Sequence, residues 1–197
     1  MSIAEGVVSA FSGMGVIWVF AGLFLVIFID AVIFPMLPEV AILLAYAIAA
    51  GSIPGVPLSG CILVVVILGE VSGTSLLYFL ASHARLPPII KKGMNRYVDI
   101  FFIRDERLIL LNRAVPVLPV LGAFIAIRGW NFPKSITYVV AGCIVKYGLI
   151  LMFITWSAWF YHSSLSFYVS LAAVGILISL SLLGSYMLRR RARTKHS

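Results

Sequence analysis

Pro35–Pro54 reads PMLPEVAILLAYAIAAGSIP, and a second stretch, Pro116–Pro133, reads PVLPVLGAFIAIRGWNFP. Both open Pro-x-Leu-Pro, and both close on another proline after a similar interval. The first is apolar enough for a bilayer, yet it carries Glu39, starts with two prolines and ends among Gly51, Pro54, Gly55 and Pro57. Proline removes a backbone donor and breaks a helix interior. As helix, residues 39–53 rise only about 20 Å, less than a hydrocarbon core of roughly 30 Å. The 14 residues between Arg113 and Arg128 rise about 21 Å. The two stretches therefore read as broken, re-entrant membrane segments, with Pro35, Pro38, Pro116 and Pro119 as the structural breaks.

Composition supports that setting. The chain has 197 residues, 62% hydrophobic and 11% charged, with mean hydropathy +1.10. Soluble domains carry about 25% charged and 45–50% apolar residues. The expected class is an all-α polytopic membrane protein in the cell membrane. Continuous rather than alternating apolar runs argue against a β-barrel. The first run lacks a basic n-region and is too long for a cleavable signal, so it is expected to be a retained span.

The fold expected is a single membrane domain over 1–197, with about four transmembrane helices and two opposed re-entrant hairpins in an inverted repeat. A first span over 13–31 ends at Asp30. Repeat 1 covers about 31–82, including a span over 58–82, and a cytoplasmic loop covers 83–113. Repeat 2 covers about 114–161, with a span over 135–161. A final span over 165–188 precedes the basic tail 189–197. Phe101–Arg113 mixes charge with bulky apolar residues. It suits an interfacial helix or one packed on the inner face of the bundle.

The net charge of +8 is unevenly placed. No Lys or Arg precedes Arg85, seven fall in Arg85–Arg113 and five in Arg189–Lys195. Such clusters mark the cytoplasmic side of membrane spans rather than a nucleic-acid partner. The loop and the tail then share one side, which two spans plus one re-entrant hairpin satisfy and three full spans do not. Both termini are cytoplasmic in this arrangement, and the two hairpin-plus-span units have opposite orientation, as in transporters with inverted repeats.

Intramembrane charges cost roughly 2.5–3.5 kcal/mol each on insertion scales and usually face a cavity. Glu39 follows the first break, Glu70 lies between Gly69 and Gly73, Arg113 precedes the second break, Arg128 ends its hairpin and Lys146 lies about a third of the way into the next span. Together they read as substrate- or proton-binding groups lining a path, or as structural ion-pair partners of one another. Cys61 and Cys143 lie in apolar runs, and His83, His162 and His196 show no ligand spacing, so no metal site or cofactor is expected. No nucleophile–base pair or phosphate-binding glycine loop is present, which argues against an enzyme.

These residues carry a resemblance. Pro35–Glu39 resembles the first re-entrant segment of the DedA family, also called the VTT or SNARE-associated superfamily. Gly69-Glu70 with Gly73, Tyr78 and Arg85 resembles the family's Gly-Asp stretch with its following aromatic and basic residues. Asn112-Arg113-Ala114-Val115-Pro116 resembles its Arg-Phe-x-Pro motif, and Gly142 falls near a later glycine. The likeness covers roughly 30–160. Two positions depart: Pro119 stands where the family has a second arginine, and the acid after Gly69 is Glu rather than Asp. Arg128 or Lys146 could supply the missing positive charge.

The resemblance implies membrane lipid handling. Bacterial relatives are linked to recycling of polyprenyl-phosphate carriers and to proton-motive-force-dependent resistance, and eukaryotic ones resemble phospholipid scramblases. The expected function is a flippase- or scramblase-like transporter of a phosphate-headed lipid, with membrane lipids as partners and with proton coupling and homo-oligomerisation left open. The alternatives are a proton- or ion-coupled small-molecule antiporter and a non-transporting membrane scaffold.

Overall fold

The computed structural model describes residues 15–32, 38–83, 106–114 and 120–160, together with Ala172, Gly175, Ile176 and Ser179. Among them every regular element is helical: α1 (Val16–Val32), α2 (Pro38–Ala49), α3 (Gly55–His83), α4 (Leu108–Ala114), α5 (Leu121–Arg128) and α6 (Phe132–Phe160). Most of the final span and of the basic loop, and all of the basic tail, lie outside the described residues, as do Pro35, Pro116 and Pro119.

Each short helix in the broken stretches is followed, after a tight turn, by a 29-residue helix. The 12 residues of α2 rise about 18 Å and the 8 of α5 about 12 Å, whereas α3 and α6 each rise about 44 Å. Only α3 and α6, among the described residues, are long and apolar enough to cross a membrane. They begin three residues earlier than the spans expected at 58 and 135. The 17-residue α1 rises about 26 Å.

Local chemistry explains these boundaries. Pro38 is the first residue of α2, where a missing N–H costs nothing and the fixed φ suits the helix. Pro57 and Pro133 fall in the first turns of α3 and α6 for the same reason. Gly129 closes α5 with φ 65° and ψ 28°, a left-handed conformation that glycine adopts without a Cβ penalty. Its N–H donates to Ala126 O and that of Trp130 to Ile125 O, the paired bonds of a Schellman motif. Trp130 then packs edge-on against Phe124, ring centroids 5.6 Å apart. Asn131 caps α6 at once, its Oδ1 accepting the Lys134 N–H at 3.1 Å.

The long helix α3 is the hub, packed against α1, α5 and α6, while α2 leans on α1, α3 and α6 and α4 on α6. Glycines set the two closest approaches. A Cβ on Gly69 would lie 3.0 Å from Ile27 Cβ, and one on Gly73 2.6 Å from Ala31 Cβ and 2.8 Å from the Phe28 carbonyl oxygen. This four-residue spacing of glycines lets two helix backbones approach. A Cβ on Gly122 of α5 would run into the Thr74 carbonyl oxygen of α3. Within Phe101–Arg113, the described part favours packing on the bundle: Leu108 and Ile109 are buried and α4 lies along α6.

The outward faces remain apolar. Leu68, Phe79 and Leu80 of α3 and Val145, Leu149 and Met152 of α6 are all more than half exposed. Helices apolar on every side yet only about a third buried (33% and 39% of their most apolar windows) present faces that water does not satisfy.

Candidate functional site

Glu39 is the second residue of α2, in the first helical turn, where the unpaired backbone N–H groups and the helix dipole favour negative charge. Lys146 is the fifteenth of the 29 residues of α6. It lies at mid-helix rather than a third of the way along. The two side chains meet in an ion pair, Nζ to Oε1 2.7 Å. The Glu39 side chain is 11% exposed and that of Lys146 28%, so the ammonium is the more open partner.

The next residue of α6, Tyr147, turns to another helix. It is buried, and its hydroxyl donates to Glu70 Oε1 on α3 at 3.3 Å. Glu70 itself is only 1% exposed. The Lys146 ammonium stands 5.1 Å from the Tyr147 ring centroid, within cation–π range. Adjacent helical positions point about 100° apart, so one Lys-Tyr dipeptide reaches α2 with its cation and α3 with its phenol. The result is a chain of contacts, Glu39–Lys146–Tyr147–Glu70, across three helices.

The structure thus brings together three of the five expected site residues, Glu39, Glu70 and Lys146. Tyr147 joins them and was not expected. Its only trace in the sequence is its place beside Lys146, because a tyrosine in an apolar helix reads as core. Arg113 belongs to α4, and its side chain lies outside the described residues. Arg128 is the last residue of α5, on the same face as the buried Leu121, Phe124 and Ile125. Its Nε is buried and has no hydrogen-bond partner among the described residues. No contact joins it to the Glu39–Glu70 chain there. Asp30 lies in the last turn of α1 with Oδ1 buried.

A second polar group sits where α4 meets α6. Glu106 Oε2 accepts from Lys134 Nζ at 3.2 Å, and its Oε1 accepts from the Asn131 N–H at 3.4 Å. Its own backbone N–H, then the Lys134 ammonium, hold the Glu106 carboxyl below the usual carboxylate range. This group ties the start of α4 to the start of α6.

A groove of about 770 Å³ opens between the end of α2, the start of α3 and the second half of α6. Tyr46, Gly60, Gly148 and Trp156 line it, and on its wall the Ser59 and Thr155 hydroxyls hydrogen-bond to each other at 2.7 Å. Gly148, Met152 and Thr155 lie on the flank of α6 away from Lys146, so the groove is separate from the charged chain. Among the described residues no group of three or more His, Cys, Asp or Glu could hold a metal ion. No protein-family model matches the chain, and no curated protein or solved structure is similar to it.

Proposed function

We propose that the chain is a multi-pass protein of the cell membrane that carries a phosphate-headed lipid, a polyprenyl phosphate or a phospholipid, between leaflets, with protons as the coupling ion. The observation that carries this reading is the Glu39–Lys146 pair and its extension through Tyr147 to Glu70, set among helices apolar on every side. Charged groups at such depth are costly and mark ion or substrate pathways.

Three further features agree with it. The twofold succession of a short helix, a tight turn and a 29-residue helix suits two re-entrant hairpins in an inverted repeat, the architecture in which broken helices frame a central site. Arg128 ends the second short helix on its buried face, and its buried Nε, which has no acceptor among the described residues, suits a phosphate oxygen through a charge-assisted hydrogen bond. The acids and the glycines about Glu70 stand at the positions that resemble the DedA family.

The test uses purified protein in liposomes with a fluorescently tagged polyprenyl phosphate, following leaflet exchange with and without a pH gradient. Wild type is expected to exchange the lipid, with Glu39→Gln and Arg128→Ala both losing most of the rate. If the acid variant loses exchange and the arginine variant keeps it, Arg128 is not the phosphate ligand. Absence of exchange by folded wild type under either condition removes this lipid as substrate.

A further inference from the structure

We propose that Lys146 is an exchange point, at which a lipid phosphate and the Glu39 carboxylate compete for one ammonium, so that each anion bound places one proton on Glu39. This rests on the reading of the chain as a carrier of phosphate-headed lipids and specifies how that site couples to protons.

The asymmetry of the pair is the first ground. An ammonium offers three donors, and Glu39 Oε1 takes one of them at 2.7 Å. Because Lys146 is 28% exposed and Glu39 11%, an approaching anion reaches the cation before the acid. Carboxylate and phosphate oxygens bind an ammonium by the same charge-assisted hydrogen bonds. The lysine is a compact charge on a flexible stem that can turn from one to the other.

Charge balance is the second ground. With Glu39 ionised and Lys146 charged, the pair is neutral. An anion that takes Lys146 leaves Glu39 as an uncompensated carboxylate in a nearly closed site, which is strongly unfavourable. A proton from water placed on Glu39 removes that charge. The site then holds one neutral acid, one ammonium and one anion, and is neutral again. One proton enters for each negative charge bound, and no bond in the lipid is made or broken.

The neighbours keep the exchange local. Titratable groups on the helices around Glu39 include Asp30 of α1, Tyr46 of α2 itself, Glu70 of α3, and Cys143, Lys146 and Tyr147 of α6, Lys146 being partly exposed. Of these, Lys146 is the group within ion-pair distance of Glu39. Glu70 is held by the Tyr147 hydroxyl. Tyr147 thus joins the second acid to the helix that carries Lys146.

The experiment is titration calorimetry of the full chain in a neutral maltoside detergent with dihexanoyl phosphatidylglycerol, whose phosphodiester does not titrate near neutral pH. Paired buffers of different ionisation enthalpy report proton uptake. Wild type is expected to take up about one proton per lipid, with affinity rising about tenfold per unit fall in pH while Glu39 is ionised. Glu39→Gln is expected to bind at least as tightly as wild type with no proton uptake, and Glu39→Asp to retain the uptake. Lys146→Gln should lose about tenfold or more in affinity. Proton uptake that persists in Glu39→Gln, or binding that Lys146→Gln leaves intact, overturns the exchange while lipid carriage stands. Absence of binding by folded wild type overturns both.

Discussion

At the residue scale, the acid at the α4–α6 junction yields a pH dependence whose sign follows from its surroundings. Glu106 accepts its own backbone N–H and the Lys134 ammonium, so the folded chain keeps it ionised at lower pH than the unfolded chain does. Its contribution to stability is fully present above the ordinary carboxylate range and is lost as pH falls through the folded-state value. Glu106→Gln should therefore flatten the fall of melting temperature between roughly pH 6 and pH 3. High salt should reproduce part of that loss by screening Lys134. An unchanged acid limb in the variant would show that other groups set it. The candidate site divides along the same lines of legibility. Charges in apolar runs single out Glu39, Glu70 and Lys146 by cost alone. The choice of partner is a distance between helices far apart in sequence, and so is the role of Tyr147.

At the element scale, glycine decides how close the helices come. The virtual Cβ of Gly122 meets a backbone carbonyl on Thr74, which cannot turn aside as a flexible side chain does. Gly122→Ala should cost about 3 kcal/mol, the upper end for overpacking, read as a lowered melting temperature in detergent. Gly148→Ala, with nothing within 4 Å of its Cβ, is the control and should change little. Val120, just before α5, is the contrasting case, a β-branched residue at φ 56°. That conformation strains such a side chain. Val120→Gly should relieve about 1 kcal/mol, partly offset by the greater freedom of glycine in the unfolded chain. A clear loss of stability in Val120→Gly would show that the valine side chain matters more than its backbone. Pro38, Gly129 and Asn131 mark their helix ends by type alone. The tight contacts of Gly69, Gly73 and Gly122 do not follow from type, because a glycine in an apolar run looks the same whether or not a neighbour lies against it.

At the scale of the whole molecule, the short and long helices make a claim about sidedness. With Cys61→Ser and Cys143→Ala as background, Ser52→Cys in the exposed α2–α3 turn should react with an impermeant maleimide from outside intact cells. His83→Cys, at the far end of α3, should react only after permeabilisation. Labelling of both from one side would mean that α3 does not cross, and the inverted-repeat arrangement would fall with it. The helical class, the two long apolar helices and the two interrupted stretches are legible in the order of residues alone. Each of these depends on local quantities: apolar run length, the missing proline donor and the caps that start and stop a helix. That α3 is the hub, that Lys146 answers Glu39 and that Tyr147 carries the contact on to Glu70 emerge only from the packed helices. Those outcomes turn on how closely helices approach and which faces they turn to each other, and non-local packing sets both.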